Sequence, residues 1–213
     1  MPTTRSKPRP YHHGNLRAAL LSAAERLLAK RGVEALTLRE VAKSAKVSHG
    51  APYHHFKGKD ALLAAVAERG FAALAEDMLA VSGDTPVDRL RAIGEAYVGF
   101  ARRHPARFRL MFGPLLALKR EYPGLQQAAE SSFQVLLDAA IEVSPTDGLQ
   151  LALIGWSMSH GLSHLGIDGV FDSLPLPKEA TTDLETRLTM HLFQRMGLVK
   201  TQPEASSLAE SGR

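Results

Sequence analysis

Apolar residues recur at helical spacing along almost the whole chain, and Gly and Pro residues break the pattern. No run shows the alternation of apolar and polar residues that marks a strand. The first helical run covers residues 14–31, with apolar positions at Leu16, Leu20, Ala23, Leu27 and Leu28 and a stop at Gly32. The sequence therefore predicts an all-α protein.

The same pattern predicts about nine helices in total. The breaks between the later ones contain Pro86, Pro105, Pro123, Pro145 and the pair Pro175 and Pro177. The predicted helices cover residues 14–31, 37–46, 48–54, 59–81, 86–103, 105–118, 124–143, 148–169 and 181–197.

The composition excludes several classes of protein. The chain has no cysteine, which rules out disulfides, thiolate nucleophiles and cysteine-based zinc sites. No stretch of about 18 uninterrupted apolar residues is present, and the basic, proline-rich residues 1–10 are not followed by the apolar core of a signal peptide. We therefore expect an intracellular protein.

Charge is distributed unevenly along the chain. Residues 1–60 hold twelve Lys and Arg against four Asp and Glu, a net charge of +8, whereas the other 153 residues hold fourteen against eighteen, a net charge of −4. A basic N-terminal part on an acidic body is typical of proteins that bind a polyanion. A solvated basic surface without a partner is the alternative.

Residues 37–54 contain the signals of two short helices. Thr37 can cap the first of them, and Glu40 can reach back to the Thr37 amide. Ser48 offers a second cap, and we expect Val47 to be the buried turn residue between the helices. Two short helices joined by a tight turn and packed on a longer first helix form the outline of a helix-turn-helix.

Pro52 falls inside the second of these short helices. Proline has no N–H group and crowds the carbonyl four residues earlier, so we expect a limited cost and a distorted helix start.

The N-terminal fifty residues resemble a known family. The chain resembles the N-terminal domain of TetR-type regulators in Tyr11–Arg17, Ala23–Leu28, Gly32, Leu36–Ala42, Val47–Ser48 and Tyr53–Lys59. Further along, Trp156–Leu162 is similar to the subgroup whose C-terminal sensor domain is named for a Trp-His-Gly (WHG) set.

The resemblance implies a domain organisation. Residues 11–58 would form the helix-turn-helix DNA-binding domain, and residues 59–200 a helical domain for sensing and dimerisation. We expect residues 1–10 to be a disordered basic arm and residues 201–213 a disordered tail. The arm has two equal interpretations, a minor-groove arm that becomes ordered on DNA or a solubilising tail.

Base reading is assigned to the short helix that contains Pro52. Once Val47, Ala51 and Phe56 are placed inward, its exposed candidates are Ser48, His49, Gly50, Tyr53 and His54. Tyr53 as a packing residue is the alternative. The helix starts at Thr37 and Lys59 are expected to hold phosphates, and Lys57 and Lys59 to neutralise them.

The helix predicted at 148–169 has two usable faces. We expect Leu151, Ile154, Met158, Leu162 and Leu165 to form one stripe, and Trp156, His160 and His164 to lie on another face. The helix also contains Gly155, Gly161 and Gly166, which favour close approach of a partner subunit's helix, with close packing inside one subunit as the alternative. His160 and His164 have the spacing of metal ligands, but no third ligand is evident, so packed or interface histidines are favoured.

The resemblance implies a ligand pocket in the body and a four-helix bundle between two subunits. The pocket candidates are large apolar residues on helices that should surround one interior: Tyr97, Phe100, Phe108, Met111, Phe112, Phe133, Leu137 and Trp156. Core packing is the alternative for each of them.

The sequence as a whole predicts a homodimeric, sequence-specific DNA-binding transcriptional regulator. It resembles repressors that a small-molecule effector releases from an operator in the bacterial cytoplasm and nucleoid. We expect no catalytic residue, cofactor, metal or membrane partner, because no nucleophile elbow, phosphate loop, metal triad or paired carboxylates are found. The alternatives are an architectural DNA-binding protein or a helical enzyme.

Overall fold

The computed structural model describes residues 13–114 and 120–175 and, beyond them, only residues 184, 187, 188 and 191; side chains are described from residue 16 onward. Eight α-helices and two short 3-10 turns have both of their ends among these residues, and none of the described residues lies in a strand. The prediction of an all-α protein is confirmed. The predicted arm at 1–10 and tail at 201–213 lie outside the described residues.

The helices largely follow the pattern of apolar residues. They are α1 (His13–Arg31), α2 (Leu38–Ser44), α3 (Lys59–Leu79), α4 (Pro86–Arg103), α5 (Pro105–Met111), α6 (Pro123–Val143), α7 (Gly148–Ile167) and α8 (Val170–Ser173). Of the helix predicted at 181–197, only residues 184, 187, 188 and 191 are described, and all four are helical.

One predicted helix is shorter in the structure. The helix expected at 105–118 ends at Met111, where Phe112 already has a non-helical backbone. Pro114 explains this end, because proline cannot donate a helical hydrogen bond and disfavours the helical conformation of the residue before it, Gly113.

The chain divides into two compact units. The first comprises Met1–Glu76 and Arg103–Phe133, and the second comprises Asp77–Arg102 and Gln134–Arg213.

The core of the first unit is built around α1. Leu20, Ala24 and Leu28 of α1 are fully or almost fully buried. Leu36, just before α2, and Val41, within α2, are fully buried as well. Glu25 of α1 forms ion pairs with Arg69 of α3 and Arg107 of α5. The Arg17 guanidinium lies over the ring of buried Phe56, 5.7 Å from its centroid. The Arg17 contact holds the segment that follows α2 against α1, and the two ion pairs join α3 and α5 to the same helix.

A Schellman turn ends α2. The Val47 amide donates to the Ala42 carbonyl at 3.0 Å, and the Lys46 amide donates to the Lys43 carbonyl at 3.2 Å. Lys46 itself has a φ of 57°, the left-handed region that such a turn requires. The expectation that a buried Val47 fixes the turn is wrong, because Val47 is only half-buried and Lys46 adopts the special backbone conformation.

In the second unit, α4 and α6 are joined by an ion pair in which Nη1 of Arg89 donates to the two carboxylate oxygens of Glu142, at 2.7 and 2.8 Å. Burial in this unit is concentrated on apolar positions of α4, α6 and α7, including Leu90, Ile93, Val98, Ala139, Ala140, Ala152 and Leu162.

The apolar stripe expected on α7 is buried only in part. Leu151 and Leu162 are buried, but Ile154, Met158 and Leu165 are exposed. The buried face is completed instead by small residues, among them Ser159 and Ser163. The Ser163 hydroxyl donates to the Ser159 carbonyl at 2.7 Å, which lets these polar residues face the core.

Candidate functional site

Thr37 caps α2 as the sequence predicts. It has an extended backbone, and its Oγ1 accepts the Glu40 amide hydrogen at 3.1 Å. The carboxylate of Glu40 lies 3.7 Å from Arg31. The reciprocal half of the predicted capping box is absent, since the Thr37 amide donates to the Ala35 carbonyl. The Thr37 side chain is nevertheless exposed at the start of the helix.

The short helix expected from Ser48 to His54 is a 3-10 turn over Ala51–His54. The Ala51 amide donates to the Ser48 carbonyl at 3.0 Å, three residues back. Pro52 has no N–H to give that carbonyl the fourth-residue bond of an α-helix, which explains the tighter turn. Gly50, and not Ser48, stands at the N-cap, and no side chain caps it. The distortion expected from Pro52 is therefore present, and it affects the whole element.

The predicted base-reading residues form one exposed run. Tyr53 is 63% exposed, so the alternative that it is mainly a packing residue is wrong. Pro52 and Phe56 are buried, and Val47 and Ala51 are half-buried on the inner side. The residues exposed on the other side are Ser48, His49, Gly50, Tyr53 and His54.

Two lysines follow this run. Lys57 is exposed in the short connection to α3, and Lys59 is the first residue of α3 and half-buried. The Leu62 amide donates to the Gly58 carbonyl, which sets the first turn of that helix. The backbone amides of the first turn of α3 carry a partial positive charge, and Lys57 and Lys59 are close to them in sequence.

The eight predicted pocket residues are divided between the two units. Phe108, Met111, Phe112 and Phe133 belong to the first unit, and Tyr97, Phe100, Leu137 and Trp156 to the second. In the first unit the Phe112 ring packs edge-on against Phe71, with ring centroids 5.2 Å apart, and lies 4.8 Å from the Phe108 ring.

A partly buried polar cluster in the second unit joins α4 to α7. The indole N–H of Trp156 donates to the Tyr97 hydroxyl at 3.2 Å, and that hydroxyl lies 2.8 Å from Nδ1 of His160. The rings of His160 and His164 are in edge contact, with centroids 4.6 Å apart. The spacing of Trp156, His160 and His164 placed them on one face, and Tyr97 was a pocket candidate. Nothing in the sequence, however, predicted the contact between Tyr97 and His160, which are 63 residues apart.

Burial shifts the protonation of this cluster. It raises the pKa of the Tyr97 hydroxyl far above its ordinary value, and the Trp156 hydrogen bond lowers that pKa to a smaller extent. Burial, and then the nearby charge of His164, lowers the pKa of His160. Both groups are therefore neutral at neutral pH. A neutral His160 with its proton on Nε2 can accept a hydrogen bond from the Tyr97 hydroxyl at Nδ1.

A small cavity lies beside the cluster. Its volume is about 10 Å³, and its walls include Tyr97, Trp156 and Ser159 with apolar Met78 and Ile93. Such a space holds about one water molecule, whereas sites for small ligands measure roughly 300–1,000 Å³. Of the predicted pocket residues, only Tyr97 and Trp156 line it.

None of the helices in the described part of the chain has the length and apolar character needed to cross a bilayer.

Two family models match the chain. Residues 20–66 match the model described as bacterial regulatory proteins, tetR family, and residues 90–189 match the model described as tetracyclin repressor-like, C-terminal domain. The second description is broader than the WHG subgroup, which stays a prediction.

Curated relatives align over a limited part of the chain. The chain is 40% identical over 65 residues to the HTH-type transcriptional repressor Rv3405c of Mycobacterium tuberculosis, which is 30% of this chain and 35% of that protein. It is 39% identical over 62 residues to the HTH-type transcriptional repressor KstR2 of Mycolicibacterium smegmatis, 29% of this chain and 28% of that protein. The chain thus aligns with only about a third of these relatives' length.

Solved structures match over most of the chain. A protein with unknown function from Rhodococcus sp. RHA1 is 30% identical, with a TM-score of 0.72, over 88% of this chain and 98% of that one. The transcriptional regulator SCO7222, a TetR from Streptomyces coelicolor, is 18% identical with a TM-score of 0.63, over 85% of this chain and 97% of that one. The second likeness concerns the fold alone.

Proposed function

Because the chain belongs to the TetR family of bacterial regulatory proteins, we propose that it is a homodimeric transcriptional repressor that binds a specific DNA operator and leaves it when a small-molecule effector binds. The aligned curated relatives are named as HTH-type repressors, which supports the assignment. A protein with this role works on the bacterial nucleoid in the cytoplasm and needs no catalytic residue.

The exposed Tyr53 carries the proposal for DNA binding. A large aromatic side chain that is 63% exposed, at the tip of a 3-10 turn, contributes little to packing. In a major groove it can contact a thymine methyl or the sugar-phosphate backbone. Its exposed neighbours Ser48, His49 and His54 offer the hydrogen-bonding groups that base reading needs.

Phosphate contacts are assigned to the flanks of this run. Lys57 is exposed, and Lys59 opens α3, so both cationic side chains accompany a helix start. The exposed Thr37 at the start of α2 gives a second anchoring point. Contacts of this kind fix the position of the protein on DNA without reading its sequence.

The proposal for the dimer rests on α7. Its exposed apolar side chains are Leu149 (53%), Leu153 (43%), Ile154 (48%), Met158 (38%) and Leu165 (42%). So many exposed apolar residues on one helix indicate an interface. Outside their own helix backbone, added Cβ atoms at Gly155 and Gly161 would meet no atom within 4 Å, so packing within the described part of the chain does not account for these two glycines.

The effector is assigned to the second unit, at the Tyr97 and Trp156 cluster. A cavity of about 10 Å³ must widen before it accepts an organic molecule, so binding there has to select a different conformation. An effector that favours one conformation of the protein changes DNA affinity, whereas equal affinity for both conformations would change nothing.

The test is selection of DNA fragments from a random pool by the purified protein, followed by footprinting on the enriched sequence. We expect one enriched, two-fold symmetric motif, with half-sites about 34–36 Å or a multiple of that apart. Sedimentation should give a dimer at micromolar concentration. Binding without sequence enrichment would indicate an architectural protein instead, and a monomer on DNA would contradict the dimer.

A further inference from the structure

A second cavity lies in the first unit, between α1 and the start of α5. Its volume is about 190 Å³. Leu28 and Ala29 of α1 form one side, and the segment Arg103–Arg107 forms the other. An apolar cavity of about 150 Å³ is large enough to bind benzene. This cavity therefore has room for a molecule with a single ring.

One carboxylate in this cavity is shared by two guanidinium groups. The Oε1 atom of Glu25 lies 3.4 Å from Nε of Arg69 and 3.6 Å from Nη2 of Arg107. Charge-assisted hydrogen bonds measure about 2.7–2.9 Å, so both contacts are long. One carboxylate and two guanidinium groups together carry a net charge of +1.

The remainder of the wall adds positive charge and apolar surface. Arg103 and His104 line the cavity beside Arg107, and Glu25 is the one acidic residue among its lining residues. Leu28, Ala29, Pro105 and Ala106 supply the apolar part. A compact site with a few charged groups among apolar walls is the usual form of a small-ligand site.

We propose that this cavity is a binding site for a small organic monocarboxylate with a ring-sized apolar body. The ligand carboxylate takes the guanidinium fork of Arg107 in a bidentate pair. Arg69 remains on Glu25, so that carboxylate stays neutralised when the ligand arrives. The apolar body lies against Leu28 and Pro105.

This site is separate from the Tyr97 and Trp156 cluster, and it does not depend on the proposed DNA binding. Ligand binding to this site is measured on the free protein, without DNA. The test therefore stays valid even if the protein binds no operator.

The experiment uses benzoate as the probe and the uncharged benzamide as its matched control. Calorimetric titration of the full chain should give one benzoate per subunit with a Kd of about 1 mM or below. Backbone amide shifts should concentrate at residues 25–29 and 103–107. Benzamide should bind at least about tenfold more weakly, because it cannot form the ionic pair with Arg107. Absence of saturable benzoate binding up to about ten times that Kd, or equal binding of both probes, would overturn the proposal.

Three variants locate the site. Arg107→Gln should weaken benzoate binding at least about tenfold, whereas Arg109→Gln, an exposed arginine of the same helix outside the cavity wall, should leave it unchanged. Ala106→Met, at a half-buried residue of the cavity wall, takes up part of the cavity and should also weaken binding at least about tenfold. An equal loss in both arginine variants would indicate general electrostatic attraction and contradict the site. If Arg107→Gln does not fold, unchanged binding by Ala106→Met overturns the proposal by itself.

Discussion

The Tyr97 hydroxyl and Nδ1 of His160 lie 2.8 Å apart, in a hydrogen bond that joins α4 to α7. The Trp156 N–H can only donate, and it occupies one lone pair of that hydroxyl. Neutral His160 with its proton on Nε2 accepts the hydrogen bond of the Tyr97 hydroxyl at Nδ1. In that tautomer the three side chains are linked in one direction, from Trp156 through Tyr97 to His160.

Removal of the Tyr97 hydroxyl should destabilise the protein. Tyr97→Phe leaves the Trp156 N–H and His160 Nδ1 without this partner, so we expect the free energy of unfolding to fall by about 1–3 kcal/mol. Urea unfolding at a pH of about 7.5 measures this free energy. Tyr122→Phe, at a half-buried tyrosine, is the control and should change the unfolding free energy far less. Equal effects would show that the Tyr97 hydroxyl has no special role.

His160 should make stability depend on pH. Its pKa in the folded protein is lowered by burial and by the charge of His164, so the unfolded chain binds more protons between that pKa and the ordinary value of about 6.5. Stability is therefore fully present above about pH 6.5 and falls as the pH drops below it.

The comparison that isolates this effect is His160→Gln. The other histidines are present in both proteins, so the difference between the two pH profiles isolates what His160 adds, including its interaction with His164. The wild-type protein should lose more unfolding free energy than His160→Gln when the pH falls from about 7.5 to about 5. Parallel pH profiles would contradict the lowered pKa.

Lys46 should be a site where glycine stabilises the protein. Its φ of 57° is strained for a residue with a Cβ atom, and glycine removes that strain. We expect Lys46→Gly to raise the free energy of unfolding by about 0.5–1 kcal/mol. Lys43→Gly, inside the helical part of α2, should lower it by about 1 kcal/mol. A loss of stability in both variants would mean that the turn does not impose this strain.

Thr37 allows capping to be separated from DNA binding. Thr37→Ala should cost about 0.5–2 kcal/mol of stability, because the Glu40 amide loses its acceptor. Thr37→Asp restores an acceptor and should keep wild-type stability, but its negative charge should weaken binding to any DNA. Thermal melting and a DNA titration measure the two effects. Unchanged DNA affinity in Thr37→Asp would exclude Thr37 from the interface.

Much of the fold could be predicted because local signals and the final structure agree. The spacing of apolar residues gave α1, α3, α4 and α6 to within a few residues of their observed ends. The sequence predicts a helix at residues 48–54 because Ser48 can act as an N-cap and an exposed run follows it. The structure has a 3-10 turn at 51–54 instead, because Pro52 lacks the N–H that an α-helix needs there.

The remaining differences depend on contacts between distant parts of the chain. The inward face of α7 carries Ser159 and Ser163, and an apolar pattern alone assigns such residues to the outside. The link between Tyr97 and His160 joins residues far apart in sequence, so no local spacing could reveal it. The exposed residues from Ser48 to Lys57 were predictable, because placing Phe56 inward leaves them outward.

The most direct test of the central claim measures binding of Tyr53→Ala and Lys57→Ala to the selected operator and to random DNA over a range of salt concentrations. Tyr53→Ala should weaken operator binding by about 1–3 kcal/mol with little change on random DNA. Lys57→Ala should weaken both alike and reduce the salt slope by about one unit per site. Lys30→Ala, at an exposed lysine near the end of α1, is the control. If Tyr53→Ala left the ratio of operator to random-DNA affinity at its wild-type value, the assignment of this exposed run to operator reading would be wrong.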